Sequence, residues 1–110
     1  MDERVGELAE QLLLIERELR VRELWEASPP DAVALASQEP FCVDTLSFEQ
    51  WLQWMFLPRM KTILEHGEAL PTVSGVLAMA EVVYRGESQQ MAGLLRALGA
   101  FDALISRGKA

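Results

Sequence analysis

The sequence predicts an all-α fold: a four-helix, bundle-like single domain with a long loop between helices 1 and 2 and a proline-kinked central helix. Three observations predict it. Apolar residues recur at steps of three and four in four segments, and no run alternates apolar and polar residues as a strand would. Glycine, proline and serine stand between these segments. With 110 residues, half of them hydrophobic, the chain has the length of one domain, residues 1–110.

Helix 1 is predicted from Arg4 to about Glu26, where Ser28-Pro29-Pro30 stops it because proline cannot donate to the helical hydrogen-bond ladder. Its apolar stripe consists of Val5, Leu8, Leu12, Ile15 and Leu19. A long connection, residues 29–46, follows. We expect a short helical turn at 32–36, capped by Asp31. Connections of this length inside a domain are often functional or packed on the core.

The central helix has the clearest signals. Ser47 and Gln50 form a capping-box pattern, and Gly67 is suited to the left-handed position that ends a helix. Its first ten residues, 48–57, are apolar almost all round, which is typical of a buried helix. Pro58 interrupts the pattern, and its ring and missing N–H predict a kink or break near residues 54–58.

Two further helices complete the prediction. We expect Ser74 to cap a helix that ends at Gly86, and Ser88 to cap another that extends to Gly108. Gly93 and Gly99 lie inside the last helix. Each costs about 1 kcal/mol relative to alanine there, so we expect both to mark close contacts between helices.

Charge and composition limit the possible functions. The formal net charge is −7, and residues 27–56 contain four acidic residues and no basic one. Nucleic-acid-binding proteins neutralise phosphates with a basic face, so direct nucleic-acid binding is not expected. No apolar stretch approaches the roughly 20 residues of a membrane span, and the acidic N-terminus is unlike a secretory signal. We therefore expect a cytoplasmic protein that does not bind a membrane.

The sequence gives little support for catalysis. The chain has a single histidine, His66, and a single cysteine, Cys42. A hydrolase needs a nucleophile and a base in contact, and a zinc site needs several His or Cys ligands. His66 is predicted at the C-terminus of the central helix, and the apolar neighbours of Cys42 predict a buried thiol. We expect no enzyme activity, no metal and no cofactor.

Several short motifs lie close together in the middle of the chain: Pro40-Phe41, Asp44-Thr45, Trp51-Leu52-Gln53-Trp54 and Pro58-Arg59-Met60. This succession, within residues 38–71, resembles the YqcC-like family of small bacterial proteins, which has no assigned function. The resemblance implies a bacterial four-helix, all-α protein. In some genomes such proteins are neighbours of a tRNA pseudouridine synthase, which implies an accessory role near RNA modification.

The same stretch supplies the candidate interaction surface. Its predicted members are Phe41, Asp44, Trp51, Trp54, Pro58, Arg59 and Met60. Trp51 and Trp54, three apart, are expected on one helix face, either in the core or lining a groove. Asp44 and Arg59 lie roughly 15 Å apart along a helix axis, so they are not expected to touch unless the loop folds back; Asp44 can instead cap a turn.

Three hypotheses of function remain. The first is a non-catalytic protein-interaction or accessory module, since aromatic residues and arginine are favoured interface anchors. The second is a small anionic-ligand-binding protein with its pocket near the kink, because the planar guanidinium of Arg59 suits a carboxylate or phosphate. The third is an enzyme. Neither the partner nor the oligomeric state can be predicted from the sequence.

Overall fold

Helices account for the regular structure of the chain. The computed structural model describes residues 3–71 and 74–107, and no β-strand occurs in these ranges. The helical elements, in chain order, are α1 (Val5–Val21), α2 (Ala32–Leu35), a 3₁₀ turn (Pro40–Cys42), α3 (Phe48–Trp51), a π-helical turn (Leu52–Phe56), α4 (Leu57–His66), α5 (Val76–Val83) and α6 (Ala92–Arg107). The predicted all-α fold is confirmed.

Helix α1 buries the predicted stripe but ends earlier than predicted. It stops at Val21 rather than near Glu26. Glu23 takes a left-handed conformation (φ 60°), and the N–H groups of Glu23 and Leu24 donate to the carbonyl oxygens of Arg20 and Leu19. These two bonds form a Schellman motif. Since glycine usually holds the left-handed position, a glutamate there gave no sequence signal.

The long connection is folded onto itself. As predicted, Asp31 caps α2, its carboxylate accepting a hydrogen bond from the N–H of Ala34 at 2.8 Å. Later in the connection the hydroxyl of Thr45 donates to the carbonyl oxygen of Ala34 at 2.7 Å. The loop before α3 is therefore held against α2.

The segments α3, π turn and α4 are consecutive and form one rod, residues 48–66, called the central helix below. The capping box predicted at its start is present: the side chains of Ser47 and Gln50 each bond the other residue's backbone N–H. Gly67 ends it in the predicted left-handed conformation, with φ 65°.

The interruption predicted near Pro58 takes the form of a π turn. The N–H of Leu57 donates to the carbonyl oxygen of Leu52, five residues back instead of four. Leu52 and Leu57 both keep helical dihedral angles, so the helix is widened rather than broken. Pro58 then lies in the first turn of α4, where a missing backbone donor is tolerated.

Helix α5 has a different cap from the predicted one. Gly75, in a left-handed conformation, precedes the helix, and Ser74 makes no capping bond. The capping bond comes instead from Asp102 of α6, whose carboxylate accepts a hydrogen bond from the N–H of Leu77 at 2.9 Å. A negative charge at this helix end is also favoured by the helix dipole.

Helix α6 begins at Ala92 rather than directly after Ser88; its predicted end at Gly108 lies outside the described residues. The prediction for its glycines is confirmed. A Cβ atom on Gly93 would collide with the carboxylate of Glu18 on α1, and one on Gly99 would lie 3.3 Å from a methyl group of Leu77 on α5.

The described residues share one hydrophobic core. Helix α1 packs against α6 and α4, and α5 packs against α6. The most deeply buried side chains include Leu8, Leu12, Ile15, Leu19, Leu52, Leu57, Leu94, Leu98, Phe101 and Ile105. Each fully buried leucine stabilises the fold by about 1.5–3 kcal/mol relative to an exposed one. Within the described residues, no helix combines the length and apolar character needed to cross a membrane.

Candidate functional site

Two clefts lie on either side of an exposed ridge of the central helix. The ridge is formed by Pro58 and Arg59, both exposed. Arg59 lines the first cleft, a cavity of about 350 Å³, together with Trp51. Pro58 lines the second cleft, a cavity of about 410 Å³, together with Trp54. Ridge and clefts together are called the two-cleft surface below.

The first cleft has mainly apolar walls. They are formed by Pro40, Phe41, Trp51, Met55, Phe56, Met60, Pro71, Val76 and Phe101, with Arg59 and Ser74 as the polar members. The rings pack on one another, since the centroids of Phe41 and Trp51 lie 4.8 Å apart in an edge-to-face arrangement. Those of Phe56 and Phe101 lie 5.1 Å apart. The walls are therefore a connected aromatic layer.

Phe41 reaches this layer through an unusual backbone. Phe41 and Cys42 both have positive φ angles, 58° and 51°, which cost about 1–2 kcal/mol per non-glycine residue. The side chain of Cys42 is 3% exposed, and its carbonyl oxygen accepts bonds from the N–H groups of Thr45 and Leu46. Burial and hydrogen bonding thus hold the strained turn that places the Phe41 ring over Trp51.

The polar groups of the first cleft have no partners within the described residues. Among residues 3–71 and 74–107, Arg59 is the only charged residue that lines it, and no carboxylate there pairs with its guanidinium. The hydroxyl oxygen of Ser74 is buried and bonds to no group in the described part of the chain. A buried, unpaired hydroxyl is unfavourable, so the cleft retains unused bonding capacity.

The second cleft differs because its polar groups are paired. Gln53 is 5% exposed and the only buried polar residue in the described ranges. Its amide oxygen accepts from the N–H of Glu26 at 2.8 Å, and its amide nitrogen donates to the carbonyl oxygen of Glu26 at 2.7 Å. The side chain thereby satisfies both backbone groups of a residue 27 positions earlier.

The Glu26 carboxylate is bound as well. The indole N–H of Trp54 donates to it at 3.1 Å, and the Gln50 amide donates at 3.2 Å. Gln50, Gln53 and Trp54 thus tie the chain after α1 to the central helix. Sequence reasoning missed Glu26 and Gln53 as members of this site. The signal available was Gln53 itself, a polar residue within the strongly apolar segment 51–57.

Charged pairs add to this connection between α1 and the central helix. Lys61, which lines the second cleft, donates to Glu16 of α1 at 3.2 Å, and Arg20 donates to the same carboxylate at 3.0 Å. Burial opposes ionisation of Glu16, but the hydrogen bonds and charges of Arg20 and Lys61 outweigh it and lower its pKa. Arg20 also lies over the Trp25 ring, 4.5 Å from its centroid.

The predicted surface residues are thus divided between three places. Phe41, Trp51, Arg59 and Met60 line the first cleft, and Trp54 and Pro58 line the second. Asp44 lines neither; it is exposed and accepts a hydrogen bond from the Ser37 hydroxyl. The expectation that Trp51 and Trp54 share one face is wrong. Each residue of a π turn advances less around the axis than in an α-helix, so the two indoles point to opposite sides of the ridge.

The two residues considered as nucleophile and base, Cys42 and His66, line neither cleft. His66 lies exposed in the last turn of α4, and Cys42 is buried, as predicted. Burial, with a contribution from the Glu49 carboxylate, raises the pKa of Tyr84; its ring packs against Phe48 in the core. Among residues 3–71 and 74–107 there is no group of three or more His, Cys, Asp and Glu side chains arranged to hold a metal ion.

Comparisons with known proteins give one consistent set of relatives. The sequence profile of a family described as "DUF446: tRNA pseudouridine synthase C" matches residues 7–104. An uncharacterized protein of Haemophilus influenzae is 39% identical over 100 residues, 91% of either chain. The uncharacterized protein YqcC of Escherichia coli is 32% identical over 96 residues, 87% of this chain and 88% of that one. The solution NMR structure of YqcC is similar too, with a TM-score of 0.86, 28% identity and coverage of 99% and 93%.

A further relative is much longer than this chain. A protein of Pectobacterium carotovorum named tRNA pseudouridine synthase C is 46% identical over 68 residues. The matched stretch covers 62% of this chain but only 18% of that protein. A segment of this kind is therefore a small part of one longer polypeptide.

Proposed function

The chain belongs to the YqcC-like family, and we propose that it is a non-catalytic accessory module of the bacterial cytoplasm that binds a tRNA pseudouridine synthase through the two-cleft surface. Its role in this proposal is to assist the enzyme, which carries out the chemistry on tRNA. The module itself contacts the enzyme and not the RNA.

One observation carries the proposal: the 46% identical stretch within the protein named tRNA pseudouridine synthase C. When two modules share a polypeptide, their contact is intramolecular and needs little intrinsic affinity. A separate chain has to supply that affinity from its own surface. The identity supports a functional association, and this chain would then need a docking surface.

The two-cleft surface has suitable chemistry for docking. Tryptophan and arginine are the residue types most enriched among energetically dominant interface residues, and this surface presents Trp51, Trp54 and Arg59. The chain carries a net charge of −7, whereas an enzyme acting on tRNA needs basic residues to bind phosphates. Opposite charges favour association of module and enzyme and disfavour binding of RNA to the module.

The test is a binding measurement with purified components. A purified tRNA pseudouridine synthase C is titrated into this chain by calorimetry, alone and with tRNA present. We expect a 1:1 complex and no pseudouridine formation by the chain alone. The exposed Arg59→Glu variant should weaken the complex about tenfold or more if this arginine is a central contact.

Arg85→Glu is the matched control, because Arg85 is also exposed but lies after α5, outside both clefts. It should bind as the unaltered chain does. The proposal fails if no heat of binding is found at micromolar concentrations, or if the two charge reversals weaken the complex equally. Pseudouridine formation by the chain alone would contradict its non-catalytic role.

A further inference from the structure

We propose that the first cleft is a binding site for a small hydrophobic monocarboxylate, an organic acid whose body is one ring or a short alkyl chain. This inference does not rest on the docking proposal, because it concerns the chain alone. It names a ligand class for a cavity that the relatives' descriptions leave unassigned.

The walls of the cavity determine the kind and size of apolar group that the ligand can have. Phe41, Trp51, Phe56 and Phe101 give the cavity an aromatic lining, which favours an apolar or aromatic group over a sugar or a peptide backbone. The volume of about 350 Å³ is at the lower end of the range for ligand pockets, roughly 300–1,000 Å³. One ring or a short chain fits this space, and a two-chain lipid does not.

The positive charge of Arg59 determines the charge of the ligand's polar group. Among the described residues, Arg59 contributes the single positive charge of the lining and has no carboxylate partner. Its planar fork matches a carboxylate with two parallel hydrogen bonds. A phosphate monoester carries about −1.5 to −2 charges at neutral pH and would be only partly neutralised. The cleft therefore fits a monoanion best.

One further observation marks this cavity. Ser74 lines it, and the hydroxyl oxygen of Ser74 is buried without a partner in the described residues. The left-handed Phe41 provides one wall, and the burial of Cys42 and the hydrogen bonds to its carbonyl oxygen hold that turn.

The test is an NMR titration of the intact chain that follows its three tryptophan indole N–H signals. The probes are 3-phenylpropionate, 3-phenylpropanamide, 3-phenylpropylamine and phenyl phosphate, which share a phenyl body and differ in charge. We expect 3-phenylpropionate to shift the Trp51 signal and to bind about tenfold more tightly than the amide, because a charged hydrogen-bonded pair is gained. The signals of Trp25 and Trp54, which line the other cleft, serve as internal controls.

The variants separate a built site from nonspecific binding. In Arg59→Gln the preference for the acid over the amide should disappear, while Arg85→Gln, at an exposed position outside the cleft, should retain it. The proposal is overturned if acid and amide bind equally in the unaltered chain, if phenyl phosphate or the amine binds more tightly than the acid, or if the acid shifts Trp25 or Trp54 instead.

Discussion

The two clefts beside the central helix are similar in size and opposite in chemistry. In the second cleft, Gln53 satisfies both backbone groups of Glu26, and Trp54 binds its carboxylate. In the first cleft, Arg59 and Ser74 have no such partners in the described residues. Each cleft contains a tryptophan from the same short motif.

This difference separates structural from functional roles within one motif. Buried polar groups that are fully paired stabilise and specify a fold, so the second cleft serves as a joint between the end of α1 and the central helix. Unpaired polar groups beside an aromatic cavity do not stabilise the fold, and the exposed guanidinium of Arg59 is available to a ligand. The motif Trp51-Leu52-Gln53-Trp54 therefore contributes residues both to the joint in the second cleft and to the candidate ligand site in the first cleft.

The largest effect should come from removing the joint's buried amide. Gln53→Ala leaves the N–H and the carbonyl group of Glu26 without their partners and creates a small cavity. We expect a loss of about 2–3 kcal/mol in the free energy of unfolding, measured by urea denaturation followed by circular dichroism.

The matched comparison is Arg59→Ala in the first cleft. Because Arg59 is exposed and has no partner among the described residues, its replacement should change stability by no more than about 0.5 kcal/mol. If Arg59→Ala destabilises the protein as much as Gln53→Ala does, the distinction between the joint and the site is wrong.

A smaller effect is expected from the indole hydrogen bond. Trp54→Phe keeps a ring in place but removes the N–H that donates to Glu26, and we expect a loss of about 1 kcal/mol. A double-mutant cycle with Glu26→Ala isolates this bond from the change in ring size. Strict additivity of the two substitutions would show that the bond contributes nothing.

The smallest effect concerns pH. The folded-state pKa of Glu16 is lowered below 4.5, so its ionised form stabilises the fold above that value, and the contribution is lost as the pH falls through the folded-state pKa. Glu16→Gln should therefore lower stability at pH 7 by about 0.5–1 kcal/mol, and this difference should shrink in acid. Urea denaturation across pH 3–7 measures it. Glu10→Gln, exposed on the same helix, is the control; an equal pH dependence in both would contradict the assignment.

Features that depend on neighbouring residues could be predicted from the sequence. The Ser47–Gln50 box, the Asp31 cap and the left-handed Gly67 each need only three or four consecutive residues, and all three are present. The cap of α5 could not be predicted, because Asp102 lies 25 residues from the N–H that it binds. The residues that close a cap at long range depend on how the helices pack.

Six of the seven predicted surface residues line one of the two clefts, but their division between the clefts could not be predicted. Pro58 indicated where the central helix would be disturbed, yet a proline is compatible with a kink, a break or a π turn. The choice among these decides whether Trp51 and Trp54 share a face. The pairing of Gln53 with Glu26 depends on the early end of α1 at Val21, for which no sequence signal exists.

The π turn at Leu52–Phe56 also affects how relatives of this chain should be aligned. A π turn accommodates one extra residue without breaking the rod, so deletion of a single residue there would leave an ordinary α-helix of nearly unchanged course. The side chains of α4 would keep their present faces after such a deletion, because the π turn absorbs the extra residue within Leu52–Phe56. A one-residue gap at this point of an alignment therefore indicates loss of the π turn and leaves the residues of α4 correctly aligned.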